Sequence, residues 1–165
     1  MPRRFAVLLT AAIATVGIAA GCGDDDGSGS ESGGGSIATS TQPRPQFVKQ
    51  ASEICSRERQ DVPQRIAAYQ EKNPPGDKPP DVAQADGVQA VILPVLESEV
   101  DRIRDLGAPA GDEEQVEAIL TGQQEAIDEV AELEKIPPEE DGWERYFDST
   151  NKLMVAYGLD ACAVR

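Results

Sequence analysis

Apolar residues recur along this chain at helical spacing, and proline- or glycine-bearing stretches interrupt the recurrence. Phe47, Ala51, Ile54, Cys55, Val62, Ile66 and Tyr69 trace one face of an α-helix. Pro45 fits its first turn, where the missing N–H costs nothing. Pro63 interrupts the run and predicts a kink or break near Asp61. Pro74, Pro75, Gly76, Pro79 and Pro80 then read as a loop. A second stripe, Val82, Ala85, Val88, Ile92, Leu96, Val100, Ile103 and Leu106, follows Asp81 as N-cap and Gln84 as capping-box partner. Pro94 lies inside it and predicts a bend, and Gly107 occupies the C′ position. Asp112 and Gln115 repeat the capping pattern before Val116, Ile119, Leu120, Ile127, Val130 and Leu133. Pro137 and Pro138 stop that helix. Trp143, Phe147, Met154 and Tyr157 form a last inward face ending at Gly158, with Leu159 placed for the contact that accompanies a glycine C-cap.

The pattern predicts helices over 46–72, 81–106, 112–135 and 139–157. Their short connections favour antiparallel neighbours, so the expected fold is all-α, an antiparallel four-helix bundle. No stretch alternates with the period of a strand, and no internal repeat is visible.

The residues ahead of Gln46 read differently. Residues 23–45 are rich in Gly, Ser, Thr, Pro and Asp, with Ile37 the one large apolar side chain. This composition predicts a solvated, flexible linker with a root-mean-square reach of roughly 27 Å and a limit of about 80 Å. Before it, Arg3 and Arg4 precede an uncharged run from Phe5 to Ala20, short for a membrane span and suited to a signal h-region. Ala19, Ala20, Gly21 and Cys22 follow, and this stretch resembles the lipobox of bacterial lipoproteins, with Ala19 where leucine is usual. The resemblance implies a signal peptide over 1–21, a diacylglyceryl group on Cys22, palmitate among the acyl chains, and anchorage to the outer face of the cell membrane. Two acyl chains suffice for a lasting anchor at about 0.8 kcal/mol per buried CH₂. An ordinary secretory signal that contains a cysteine is the alternative. The expected organisation is thus signal (1–21), anchored linker (22–45) and helical domain (46–165).

Charge narrows the partners. The chain carries 15 basic and 30 acidic residues; removing Arg3 and Arg4 leaves a net charge of −17. Nucleic acid and anionic head groups repel such a surface. Histidine is absent from the sequence, which removes the commonest general base and transition-metal ligand. No phosphate loop, nucleophile elbow, metalloprotease motif or EF-hand spacing occurs, so no cofactor, metal or catalytic residue is assigned.

Three cysteines are present, Cys22, Cys55 and Cys162. With Cys22 lipidated, the remaining pair fits a disulfide in an oxidising compartment, against the alternative of two buried thiols. Between Gln46 and Arg165 there are 27 Leu, Ile, Val and Phe, a modest core for the charge it carries. A Cys55–Cys162 bridge would close a long loop and contribute about 4.8 kcal/mol on the chain-entropy argument.

The segments Phe47–Cys55, Leu106–Pro109 and Tyr157–Cys162 together resemble small lipoproteins of high-GC actinobacteria. The likeness spans the chain from the signal onward and implies a helical lipoprotein domain closed by two cysteines, with no catalytic residue to transfer.

Candidate chemistry is sparse. Asp112 to Asp148 holds 14 acids against Lys135 and Arg145. This 112–148 region reads as a solvated face, or as a surface for a basic protein or divalent cations. Glu97 and Asp101, one helical turn apart, are the carboxylate pair a small cell-envelope hydrolase would use. The expected function is a non-enzymatic binding or scaffolding module; that hydrolase and a purely structural spacer are the alternatives.

Overall fold

The computed structural model describes residues 37–138 and 142–165. Cys22 and the expected signal lie outside the described residues, as does the expected start of the last helix, residues 139–141. The described chain is mostly helical, with one small sheet.

Helix α1 spans Arg44–Arg59 and buries Phe47, Ala51, Ile54 and Cys55. Pro43 is extended at its N-cap and Pro45 lies in its first turn, as the fixed φ of proline favours. The chain then breaks at Asp61, which precedes α2, Val62–Lys72. Pro63 occupies the first turn of this new helix, so one predicted helix is two. Helix α2 buries no side chain fully. Val62, Ile66 and Tyr69 are half-buried, because α2 packs at the periphery, with Tyr69 close to Gly87.

The predicted 81–106 helix is three segments. Helix α3 covers Pro80–Gly87, a π-helical stretch covers Val88–Ile92, and α4 covers Leu93–Asp105. Asp81 is in the first turn of α3 rather than at its N-cap, which is Pro79. The reason is local: Pro80 is set for the first helical position and holds the residue before it extended. The π stretch ends where the Leu93 N–H bonds to the Val88 carbonyl, just before Pro94. A proline cannot donate, and its ring clashes with the carbonyl four residues back; a wider turn relieves both.

At the end of α4, Gly107 turns with φ 67°, as the C′ position requires. It leads into β2, Ala108–Pro109, which pairs in parallel with β1, Thr39–Ser40. This sheet corrects the expectation of no strands: two residues are too short to show an alternation. It also shows that residues assigned to the linker pack on the domain. Ile37 is buried, its N–H donates to Glu117 at 3.1 Å, and the Thr39 hydroxyl donates to Glu113 at 2.8 Å. The Gln42 amide donates to the Leu106 carbonyl at 3.1 Å.

Helix α5, Glu113–Ala131, begins after Asp112 and buries Val116, Ile119, Leu120, Ile127 and Val130. It is shorter than 112–135. Ile136 instead anchors the following loop, buried and with its N–H on the Asp81 carbonyl. The last predicted helix also starts later. Gly142 has φ 53°, a left-handed turn that ordinary helix does not pass through. A 3₁₀ turn, Glu144–Phe147, then leads into α6, Asp148–Tyr157. Gly158 caps α6 with φ 103°, and the Leu159 N–H returns to the Met154 carbonyl at 2.8 Å. Trp143, Phe147, Met154, Tyr157 and Leu159 are all buried. A final 3₁₀ turn, Asp160–Cys162, brings Cys162 to α1, where it forms a disulfide with Cys55 across 107 residues of sequence.

Candidate functional site

The densest chemistry lies where α1, α4 and the segment Leu159–Val164 meet. Arg59 sits one helical turn after Cys55, so its side chain leaves the same side of α1. Its Nε donates to Glu99 Oε1 at 2.7 Å and its Nη2 to Glu99 Oε2 at 2.6 Å, a two-pronged ion pair. The same guanidinium donates to the Cys162 carbonyl at 2.6 Å and the Ala163 carbonyl at 2.8 Å. Glu99 is 3% exposed, yet it occupies the inward stripe of α4 beside Leu96, Val100 and Ile103. Burial pushes its carboxyl above the ordinary glutamate value, and the hydrogen bonds and charge of Arg59 pull it back in part. Beside this pair, Arg102 of α4 bonds Glu58 of α1.

A second polar cluster ties three chain segments together. The Tyr157 hydroxyl donates to Asp112 Oδ2 at 2.8 Å, Arg44 Nη2 donates to the Tyr157 carbonyl at 3.0 Å, and the Arg44 guanidinium lies 4.0 Å from the centre of the Tyr157 ring. Burial, then the bond to Asp112, raises the Tyr157 hydroxyl above the usual tyrosine value. Asp112 precedes α5, but its side chain makes no capping bond; its carboxylate serves Tyr157 instead. At the start of α5, Glu113 is held below the ordinary glutamate value by its own backbone N–H, the Thr39 hydroxyl and the Gly111 N–H.

The carboxylate pair expected from the sequence does not converge on a cleft. Glu97 and Asp101 are exposed on α4, and Asp101 lies 3.7 Å from Arg104. Three surface grooves among the described residues lie elsewhere. One of about 440 Å³ runs along Lys49, Glu53 and Arg57 of α1. One of about 390 Å³ lies between Asp81, Gln84, Ile136, Pro138 and Glu144. One of about 400 Å³ separates Asn151 and Val155 from Ala163 and Arg165. Glu99 lines none of them.

Cys55 and Cys162 are brought together as a disulfide, with Cα atoms 5.2 Å apart. Among the described residues the acids of 112–148 are spread rather than gathered: Glu114, Glu125, Asp128, Glu129 and Glu132 are exposed along and just beyond α5. Among the described residues no group of three or more His, Cys, Asp or Glu is placed to hold a metal ion, and no helix is long and apolar enough to cross a membrane. Sequence reading missed Arg59, Glu99 and the Arg44–Asp112–Tyr157 cluster. The available signal was a charged residue on an apolar stripe: Glu99 lies three residues after Leu96 and four before Ile103.

No protein-family model, curated protein or solved structure matches this chain.

Proposed function

We propose that this chain is a lipid-anchored module on the outer face of the cell membrane, held through Cys22, that binds or scaffolds a cationic partner rather than catalysing a reaction. The observation that carries this reading is the exposed acidic row of α5. Residues 105–134 contain ten Asp and Glu and no Lys or Arg, so that row has no cation on its own helix to neutralise it. Such a surface attracts a basic protein at long range. The hydrolase alternative would need a carboxyl that is both raised above its ordinary value and open to a cleft. Glu99 is perturbed, but both its oxygens are taken by Arg59 and none of the three grooves opens on it.

The antiparallel four-helix arrangement belongs to the same proposal. The contacts fit it: Gln42 meets Leu106 while Arg59 meets Glu99, and Asp112 meets Tyr157 while Gly122 lies against Thr150.

Affinity capture of the full chain from its own membranes, at low and at high salt, tests the binding role. A cationic protein partner is retained at low salt and lost as ionic strength rises. Recovery of no protein at low salt reduces the domain to a spacer. Fractionation of Cys22→Ser tests the anchor separately: the variant leaves the membrane fraction, and its retention there after signal cleavage would rule out lipid on Cys22.

A further inference from the structure

The disulfide is enclosed by the segment that carries one of its sulfurs. Cys55 is 0% and Cys162 1% exposed, and Leu159, Ala163 and Val164 around Cys162 are buried as well. Thiol–disulfide exchange needs an attacking thiolate to approach one sulfur in line with the bond. That approach is closed in the native structure, so exchange must pass through a state in which the segment has lifted. Two side chains hold it down. Arg59 grips the carbonyls of Cys162 and Ala163, and is itself fixed by Glu99. Asn151 brackets Val164, accepting from its N–H at 2.8 Å and donating to its carbonyl at 2.7 Å. Arg59 is the one beside the sulfurs, since it grips the carbonyl of Cys162 itself.

We propose that Arg59 gates access to the Cys55–Cys162 disulfide, so that dithiol reductants reach it only in a locally opened state in which Arg59 has released the Cys162 and Ala163 carbonyls. The chemistry in that state is ordinary exchange. A reductant thiolate attacks one sulfur, the S–S bond breaks, and the departing cysteine thiolate takes a proton from water. The reductant's second thiol resolves the mixed disulfide, leaving two cysteine thiols and one oxidised cyclic dithiol. Glu99 is a positioning residue here, acting through Arg59.

The test is the rate of reduction of the full chain by dithiothreitol without denaturant, read by alkylation and mass mapping of the Cys55 and Cys162 peptides. Arg59→Met keeps the aliphatic stem and removes the fork; it is expected to speed reduction by about ten-fold or more, the factor set by losing charged hydrogen bonds from the closed state alone. Glu99→Gln is expected to speed it less. Ile119→Val, a core change in α5 away from the segment, lowers global stability but leaves the rate unchanged. Equal acceleration by Ile119→Val and Arg59→Met would mean that reduction needs global unfolding and would overturn the gate; so would an unchanged rate in Arg59→Met. A second measurement needs no variant. The Cys162 and Ala163 amides, bonded to the Leu159 and Asp160 carbonyls, are expected to show the same opening equilibrium by hydrogen exchange as the disulfide shows by reduction. Reduction slowed to the level of the α5 core amides would refute local gating.

Discussion

The Tyr157 hydroxyl donates to the Asp112 carboxylate at 2.8 Å, joining the end of α6 to the start of α5. The bond diverts Asp112 from capping its own helix, so a residue that reads as a local helix signal is in fact a tertiary link. Tyr157→Phe is expected to cost about 1.5–3 kcal/mol, the range for a hydrogen bond to a charged group, or several degrees of melting temperature.

The same pair gives an alkaline limit. The Tyr157 hydroxyl is raised in the folded state, by burial first and by Asp112 second. Its stabilising effect is therefore complete below the unfolded tyrosine value of about 10 and is lost as pH rises beyond it. Denaturation curves between neutral pH and pH 11 should show wild type losing more stability than Tyr157→Phe; parallel curves would exclude the linkage.

Glu99 works at the other end of the scale. Its carboxyl is raised by burial, with Arg59 opposing. A raised folded value means the native state holds its proton more tightly. Its contribution is fully present below the unfolded glutamate value of about 4.3 and declines as pH climbs through the folded value. The stability difference between wild type and Glu99→Gln should therefore shift in favour of wild type as pH falls from neutrality toward 4.3. Urea titrations at several pH values measure it, and a pH-independent difference would contradict it.

Two glycines with left-handed backbones should respond differently to asparagine. Gly158 has φ 103°, but an added Cβ would meet nothing nearer than Val48 at 3.7 Å. Gly107 has φ 67°, and an added Cβ would lie 2.8 Å from the Ala38 carbonyl oxygen. Asparagine tolerates left-handed geometry better than most residues, so Gly158→Asn is expected to be mild. Gly107→Asn should push Ala38 away and break the Ala108 N–H bond to it. Hydrogen exchange at Ala108 distinguishes the two, with protection lost in the Gly107 variant alone.

Removing the disulfide by Cys55→Ser with Cys162→Ser should lower stability by up to about 4.8 kcal/mol on the chain-entropy argument. Retained Arg59 contacts to the Cys162 and Ala163 carbonyls keep the segment docked, so the helical circular dichroism signal should persist below the lowered melting point. Loss of helix at ambient temperature would show the disulfide to be indispensable.

The helical faces were legible because the apolar spacing is regular: Phe47, Ala51, Ile54 and Cys55 are buried as read, as are Val116, Ile119, Leu120 and Ile127. Gly107 and Gly158 announced two helix ends, and Pro63 announced the break at Asp61. What escaped reading depends on distance in sequence. The strands Thr39–Ser40 and Ala108–Pro109 are too short to have a period and exist only as a pair. The π stretch before Pro94 was visible only as an irregularity without a type. Arg59 and Glu99 are 40 residues apart, and neither position alone distinguishes a buried partner from a solvated one. The exposed pair Glu97 and Asp101 drew attention because acids one turn apart are conspicuous, whereas a single acid on an apolar stripe is not.

The strap formed by residues 37–43 has a mechanical consequence. Any pull on the chain ahead of Ile37 reaches the helices through Ile37 in its apolar site, the bonds to Glu117 and Glu113, and the short parallel pairing at Ala108. These contacts are few, and they lie ahead of α1, whose Cys55 is bonded covalently to Cys162. Under load the strap yields first and pays out up to roughly 24 Å of extra chain, while the cross-linked helices remain folded. It behaves as a fuse that gives way before the cross-linked helices are strained.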